Sequence, residues 1–313
     1  MKVFLFTFII ALTAYGASEE EIGPWQPASG NVQIPLWPDA APGGQIVTGP
    51  EGAGLTRKPG LVAGKPWIWV HDVVKPTMTI YPPKDKNTGV TVVVFPGGGY
   101  QVLAMDLEGT EVCDWLTSKG ITCVLVKYRV PNGMENRSGP HPKSAAALQD
   151  AQRTLGLIRR DSSKLNIDPK KIGVIGFSST GHLVAALSTN FKKRVYTAVD
   201  SADSESCRPD FAMSLYPGHM AKDYKIEKGL NPYLPVSAET PPTLLIHAEN
   251  DPMDPVEYSL LYYAALKKHN VPVEMHLYAQ GGHAFGLRRT DLPITNWPEL
   301  AEKWLVTIGM LPK

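Results

Sequence analysis

Three residues of the chain have the types and the order that nucleophilic acyl transfer requires: Ser178, Asp251 and His283. Ser178 lies in the run Gly176-Phe177-Ser178-Ser179-Thr180-Gly181-His182, between an apolar stretch and a helical one. Strand, sharp turn, serine and helix form a nucleophile elbow, which raises a serine hydroxyl above an α/β sheet. A serine hydroxyl is a weak nucleophile at neutral pH, so the elbow predicts catalysis only if the chain also supplies a base.

Asp251 and His283 follow two further apolar runs, at 243–247 and 273–278. Serine, then acid, then histidine is the chain order of an α/β-hydrolase triad. We expect His283 to take the proton of Ser178 and later to give it to the leaving alcohol, while Asp251 fixes the imidazole tautomer. Asp254 is an alternative acid, and either aspartate could instead cap the helix that follows.

A glycine-rich turn, Pro96-Gly97-Gly98-Gly99-Tyr100, follows the apolar run 90–95. Glycines let the backbone turn sharply and present its N–H groups, which with the N–H after the nucleophile would hold a developing oxyanion. The turn lacks both the Gly-x-Gly-x-x-Gly fingerprint and the Lys-Ser/Thr ending of a phosphate loop. Tyr100 is predicted to border the acyl pocket, and Glu108 to line the same cleft.

Short apolar, mostly β-branched runs alternate with helical stretches, which is typical of a parallel sheet covered on both faces. The predicted strands are 90–95, 121–126, 171–177, 243–247 and 273–278, and the predicted helices are 107–119, 144–160, 179–188, 256–269 and 297–309. The run 77–81 alternates as an antiparallel edge strand does. Chemistry in such sheets lies beyond the carboxyl ends of the strands, where the candidate residues fall. Asp150 and Arg153, three apart on one helix, predict a structural ion pair.

The start of the chain predicts a secretory signal over 1–17, with Lys2 before an apolar stretch and small residues at its end. A buried strand or a membrane anchor is the alternative, but the stretch is short for a bilayer span. Residues 18–76, rich in proline and glycine, are predicted to form an irregular segment packed on the core, and 77–313 the α/β domain. We therefore expect an exported protein, periplasmic or extracellular, without a membrane anchor.

Composition narrows the classes of partner. The 313 residues carry a net charge of +1 without a block of like charge, which disfavours nucleic acid or an anionic membrane as the main partner. The 43% hydrophobic content is ordinary for a globular protein. Three cysteines, Cys113, Cys123 and Cys207, cannot all pair, and none has metal-ligand spacing. A buried, unpaired Cys123 and a Cys113–Cys123 disulfide both remain open, as does the oligomeric state.

From about Leu36 to its end the chain resembles the acetyl xylan esterase-like members of the α/β-hydrolase esterases. The resemblance rests on several blocks taken together: Leu36-Trp37-Pro38, Pro96-Gly97-Gly98-Gly99-Tyr100, Lys127-Tyr128-Arg129, Asp150-Ala151-Gln152-Arg153, Arg208-Pro209-Asp210-Phe211, Pro241-Pro242-Thr243, Gly281-Gly282-His283 and Trp297-Pro298-Glu299-Leu300. It implies an α/β-hydrolase fold with little or no cap domain and the triad named above. It also implies three oxyanion donors: Gly98, Gly99 and Ser179. The implied activity is removal of acetyl or other short acyl groups from carbohydrate through an acyl-enzyme, with neither metal nor organic cofactor.

The chain departs from these relatives at Thr180, where they usually have glycine. A β-branched residue predicts either strain of about 1–3 kcal/mol, a more open turn, or a weakened site. Taking Ser179 as the nucleophile restores a glycine two residues on, but puts Phe177 where the first glycine belongs. A non-catalytic carbohydrate-binding protein and a serine peptidase are the alternative functions, because one fold serves many chemistries.

Overall fold

The computed structural model describes residues 20–43, 49–130 and 145–312. The predicted secretory signal lies outside these residues. Within the described ranges, no helix combines the length and the apolar character that crossing a bilayer requires.

An eight-stranded sheet forms the centre of the protein, in the order β12-β11-β10-β9-β6-β8-β5-β2. The strands from β12 to β8 run parallel, and β5 and β2 add an antiparallel edge. The bounds are β2 Gln33–Pro35, β5 Thr77–Tyr81, β6 Thr91–Phe95, β8 Thr122–Lys127, β9 Ile172–Phe177, β10 Phe211–Leu215, β11 Thr243–Ala248 and β12 Val273–Tyr278. The predicted parallel sheet and its antiparallel strand are confirmed.

Six α-helices in the described chain include one short turn of four residues. They are α1 Glu111–Ser118, α2 Ala145–Arg160, α3 Ser162–Leu165, α4 Ser179–Thr189, α5 Glu257–Lys268 and α6 Trp297–Thr307. The first predicted helix begins as a π-helical turn, Asp106–Thr110, ahead of α1. Strands β6, β8, β9, β10 and β11 are buried along their whole length, as expected where helices cover both faces of a sheet.

The register of the sheet brings the carboxyl ends of the central strands together. Phe95 pairs with Gly176, so the turn after β6 lies next to the elbow after β9. Leu215 pairs with Phe177 on the other side of β9. Because β11 and β12 continue this parallel run, the segments containing Asp251 and His283 leave the sheet at the same edge.

The segment 18–76 is more regular than predicted. It contributes β2 to the main sheet, and β1 Glu20–Glu21, β3 Gly52–Leu55 and β4 Ile68–His71 form a second, antiparallel sheet with β7 Val102–Ala104. Gly54 has no side chain because the Trp69 ring occupies that space, where a Cβ would lie 2.3 Å from the ring. Strands of two to four residues are too short to show a clear alternation of apolar and polar residues, so the sequence pattern did not reveal them.

Strand β10 was also missed. Its sequence, Phe-Ala-Met-Ser-Leu, has no β-branched residue, so its propensity does not distinguish it from a helix or a loop. It lies between β9 and β11 with every residue buried. Its position in the sheet, rather than its own sequence, makes it a strand.

Two arginine–aspartate networks fix α2, and they differ from the predicted Asp150–Arg153 pair. Asp150 is fully buried and accepts hydrogen bonds from the Trp37 indole at 2.8 Å and the Arg129 side chain at 3.0 Å. Arg153 instead forms a two-pronged pair with Asp200, at 2.7 and 2.6 Å. The predicted pair is therefore wrong, because each residue has a partner on a different element. The buried Trp37 thereby anchors the N-terminal segment to α2.

A disulfide joins Cys113 of α1 to Cys123 of β8, and Cys207 is free and buried. Both half-cystines are buried, so Cys123 is a core residue as well as a bridged one. The sequence left this pairing open because the approach of α1 to β8 depends on the crossover between β6 and β8.

We expect Asp150→Asn to lower the free energy of unfolding by about 3–5 kcal/mol, because it leaves the buried Arg129 guanidinium without a counter-charge. Urea denaturation measures this change. Asp114→Asn is the control, since the Asp114 side chain is 75% exposed and its pair with Lys84 should contribute at most about 1 kcal/mol. Equal effects of the two substitutions would contradict the prediction.

Candidate active site

The elbow places Ser178 in a backbone conformation that few residues adopt, with φ 53° and ψ −123°. Three backbone hydrogen bonds hold it there. The Ser178 N–H donates to the Leu215 carbonyl, and the Ser178 carbonyl accepts from the N–H groups of Gly181 and Gly218, each at 3.0 Å. Gly176 must lack a side chain, since a Cβ would lie 2.2 Å from the Thr180 carbonyl oxygen.

Thr180 lies in the right-handed helical backbone of α4, so the strain predicted for a β-branched residue is absent. Its hydroxyl accepts the Phe177 N–H at 2.8 Å and lies 2.6 Å from the Phe95 carbonyl, to which it donates. The hydroxyl therefore continues the hydrogen bonding between β6 and β9 past their last paired residues. Of the alternatives for this position, the unstrained turn matches the structure.

Ser178, His283 and Asp251 form a continuous chain of hydrogen bonds. The Ser178 Oγ is 2.9 Å from the His283 Nε2, and the His283 Nδ1 is 2.7 Å from the Asp251 Oδ2. Ser178 is partly exposed, whereas the Asp251 side chain is fully buried. By contrast, Ser179 is buried to 2% exposure, and its Oγ has no hydrogen-bond partner among the described residues.

The surroundings of the two residues favour a charged pair between Asp251 and His283. Burial alone would raise the pKa of Asp251, but hydrogen bonds from His247 and His283 hold that pKa far below its usual range. Burial alone would lower the pKa of His283, but the hydrogen bond to Asp251 and its negative charge raise it above the ordinary 6.5. The site therefore stabilises the imidazolium that a general base must become.

A second histidine, His247 of β11, supports the Asp251 carboxylate. Its Nε2 lies 3.3 Å from the Asp251 Oδ2 and 3.0 Å from the Asp254 carbonyl oxygen, and both of these atoms are acceptors. The Nε2 must therefore carry the proton, and the Nδ1 accepts from the Ser259 hydroxyl at 2.8 Å. The other Asp251 oxygen accepts the N–H groups of Met253 and Asp254.

The turn after β6 presents backbone donors beside Ser178. Gly98 and Gly99 have positive φ values of 134° and 67°, and a Cβ on Gly98 would lie 2.2 Å from the Val102 carbonyl oxygen. In the described part of the chain, the N–H groups of Gly98, Gly99 and Ser179 have no acceptor. They are therefore available to a negatively charged oxygen beside the serine.

Glu108 lies beneath the glycine turn rather than in an open cleft, contrary to the prediction. It is 2% exposed, and its carboxylate accepts the Gly97 N–H at 2.7 Å and the Tyr216 hydroxyl at 2.8 Å. Burial raises the pKa of Glu108, although Tyr216 and His283 oppose this. The Tyr216 ring packs on His283, with ring centres 5.1 Å apart. Glu108 thus connects the glycine turn to the ring that lies against the histidine.

Tyr100 is also buried, at 4% exposure. Its hydroxyl is 2.9 Å from the Nδ1 of His182, and its ring is stacked on His219 with centres 5.8 Å apart. His182 is buried one turn below the elbow, where Tyr100 is a hydrogen-bond partner. Tyr100 therefore adjoins the site through an aromatic cluster.

Asp254, the alternative acid, lies on the wrong side of the imidazole to orient it. Its Oδ2 is 4.0 Å from the His283 Nε2, the nitrogen that faces Ser178, whereas Asp251 bonds to the Nδ1. Through the described ranges, no group of three or more histidine, cysteine, aspartate or glutamate residues is arranged to hold a metal ion.

Neither His247 nor Tyr216 stands out as a functional residue in the sequence. His247 lies inside an apolar strand, where a histidine is indistinguishable from a core residue, although its place four residues before Asp251 was a usable signal. Tyr216 follows a strand that was itself missed. Neither the role of His247 nor that of Tyr216 is visible until β10 and β11 are placed side by side.

A family model described as alpha/beta hydrolase fold matches residues 92–287, and the chain belongs to this family. The match includes Ser178, Asp251 and His283. The resemblance and fold class predicted from the sequence are both confirmed.

Several of the relatives are named as esterases or as hydrolases of acetyl esters. An acetylxylan esterase of Xylanibacter ruminicola is 29% identical over 69% of this chain. An acetyl ester-xyloside bifunctional hydrolase from Caldicellulosiruptor lactoaceticus is 34% identical, with a TM-score of 0.68 over 90% of this chain and 97% of its own. The propionate-bound esterase 2 of Thermogutta terrifontis is 25% identical, with a TM-score of 0.63 over 77% of this chain and 92% of its own. This chain spans only 45% of the length of the acetylxylan esterase.

We expect Thr180→Val to lower the free energy of unfolding by about 1–3 kcal/mol, because the buried Phe177 N–H and Phe95 carbonyl lose their shared partner. Thr180→Ser is the matched control, since it keeps the hydroxyl and loses only a methyl group. Urea denaturation of the three proteins gives the comparison. A valine variant as stable as the serine variant would show that the bridge contributes nothing.

Proposed function

We propose that the protein is a serine carboxylic ester hydrolase that removes acetyl or other short acyl groups from carbohydrate. The observation on which this rests is the hydrogen-bonded chain Ser178–His283–Asp251 beside three available backbone N–H groups. This arrangement supplies a nucleophile, a base, an orienting carboxylate and a site for the oxyanion. No cofactor takes part in the proposed reaction.

The mechanism has two acyl transfers. The Ser178 Oγ attacks the ester carbonyl while the His283 Nε2 takes its proton, and the N–H groups of Gly98, Gly99 and Ser179 hold the oxyanion. The tetrahedral intermediate collapses, the C–O bond to the alcohol breaks, and His283 gives its proton to the leaving oxygen. Water then attacks the acyl-enzyme with His283 again as base, which releases the carboxylic acid and restores Ser178.

The proposed substrate class follows from the relatives. One of them is named for acetylxylan, a second for both acetyl esters and xylosides, and a third was solved with propionate. These names support a short acyl group and a xylan-type alcohol for this chain. The non-catalytic alternative was motivated by strain at Thr180, and the helical backbone of Thr180 removes that motive.

We further propose that the protein is exported. The apolar stretch over 1–17 has the features of a secretory signal. A disulfide between Cys113 and Cys123 is consistent with an oxidising compartment.

We expect Ser178→Ala to lower kcat for an aryl acetate by about four orders of magnitude or more and to abolish labelling by a fluorophosphonate probe. Ser179→Ala keeps its backbone N–H and loses only a buried hydroxyl, so we expect its kcat to stay within about tenfold of wild type. Substrate hydrolysis and gel-based labelling of both variants make the comparison. Loss of activity only in Ser179→Ala would assign the nucleophile to Ser179 instead.

We expect kcat/KM to rise with pH through a midpoint above 6.5, because His283 must be neutral to accept the serine proton and its pKa is raised. Asp251→Asn removes the negative charge that stabilises the imidazolium, so the midpoint should move to lower pH, and kcat should fall about 10⁴-fold. Rates on an aryl acetate between pH 4 and 9 measure both effects. An unmoved or raised midpoint in the variant would contradict this assignment.

A further inference from the structure

Asp254 presents a carboxylate at the catalytic edge that the proposed mechanism does not use. Its side chain is 19% exposed, and neither carboxylate oxygen has a hydrogen-bond partner among the described residues. Its backbone is held on both sides, because its N–H donates to the Asp251 Oδ1 and its carbonyl accepts from the His247 Nε2. The position of this carboxylate is therefore fixed by the same residues that fix Asp251.

The Asp254 carboxylate lies close to both His283 and the elbow. Its Oδ2 is 4.0 Å from the His283 Nε2, which is itself 2.9 Å from the Ser178 Oγ. Gly218 leaves room for it, since a Cβ there would lie only 2.8 Å from the same Oδ2. The Gly218 N–H is bonded to the Ser178 carbonyl, so the carboxylate adjoins the elbow itself.

The proton transfer from His283 to the leaving alcohol indicates which part of the substrate would lie beside Asp254. The leaving oxygen must come within hydrogen-bonding reach of the His283 Nε2 to receive its proton. Because the Asp254 Oδ2 is only 4.0 Å from the same nitrogen, a hydroxyl on the neighbouring carbon of that alcohol can reach the Asp254 carboxylate. A carboxylate accepts such a hydrogen bond more strongly than a neutral group does.

We propose that Asp254 binds the hydroxyl adjacent to the scissile ester oxygen, and so makes the site selective for partially acylated polyols such as a sugar with a free neighbouring hydroxyl. This inference rests on the proposed ester hydrolysis. Burial raises the pKa of Asp254 to about 6, with His283 opposing this shift and the charge of Asp251 adding to it, so the carboxylate is ionised at pH 8. A carboxylate that acted only on His283 would instead affect every ester alike.

The experiment compares kcat/KM at pH 8 for three acetates. These are methyl xyloside acetylated once beside a free hydroxyl, the same ester with that hydroxyl O-methylated, and 4-nitrophenyl acetate. We expect the wild type to prefer the free-hydroxyl ester over its O-methyl counterpart by about 10–100-fold, the range for a hydrogen bond to a charged group. Asp254→Ala and Asp254→Asn should lose most of that preference. In both variants kcat/KM should fall far less for the aryl acetate than for the free-hydroxyl ester.

Asp85→Asn is the matched control, because it removes the same charge from an exposed position at the opposite end of the sheet. It should leave the preference at the wild-type value. An equal fall on all three acetates, or a preference that survives in both Asp254 variants, would overturn the inference while leaving the esterase intact. A wild type that hydrolyses none of the three would refute the proposed function, and the inference with it.

Discussion

The positive φ of Ser178 is the constraint on which the catalytic edge depends. A non-glycine residue held in a sparsely populated backbone region costs about 1–3 kcal/mol, and the neighbouring elements must offset this. They do so from both sides. Strand β10 and the turn after it bond to the backbone of Ser178, and the Thr180 hydroxyl connects β9 to β6. The elbow is therefore a product of three adjacent strands rather than a local turn, and it is stable only inside the assembled sheet.

Three carboxylates at this edge have pKa values that are shifted in different directions because their surroundings differ. Asp251 accepts from two histidines and two backbone N–H groups and has a strongly lowered pKa. Asp254 lies in the same turn without such donors, and burial together with the charge of Asp251 raises its pKa. Glu108 is buried beneath the glycine turn, and burial raises its pKa. Environments that push the pKa values of neighbouring acids apart are how one site assigns them different tasks.

Much of this arrangement was accessible from the sequence. Local sequence patterns identify the strand ends, the glycine turn, and Ser178, Asp251 and His283 in their order. Because the carboxyl ends of parallel strands lie at one edge of the sheet, these residues are expected to lie close together. The position of Glu108 was not accessible, because it depends on how a π-helical turn packs under a loop. The choice between Asp251 and Asp254 needed the imidazole nitrogens in place. Strand β10 and the small antiparallel sheet are formed by their neighbours, so their own residues gave no signal.

The small antiparallel sheet connects the N-terminal segment to the strand that follows the glycine turn. Strand β7 starts directly after the glycine turn, and it pairs with β4, which pairs in turn with β3. Removing the segment before Thr77 would leave β7 as an open edge, with unpaired backbone groups that favour association with other chains. The strand that follows the proposed oxyanion donors is thus supported by a strand more than thirty positions upstream. A chimera that exchanges the N-terminal segment for another would therefore have to keep the pairing between β4 and β7.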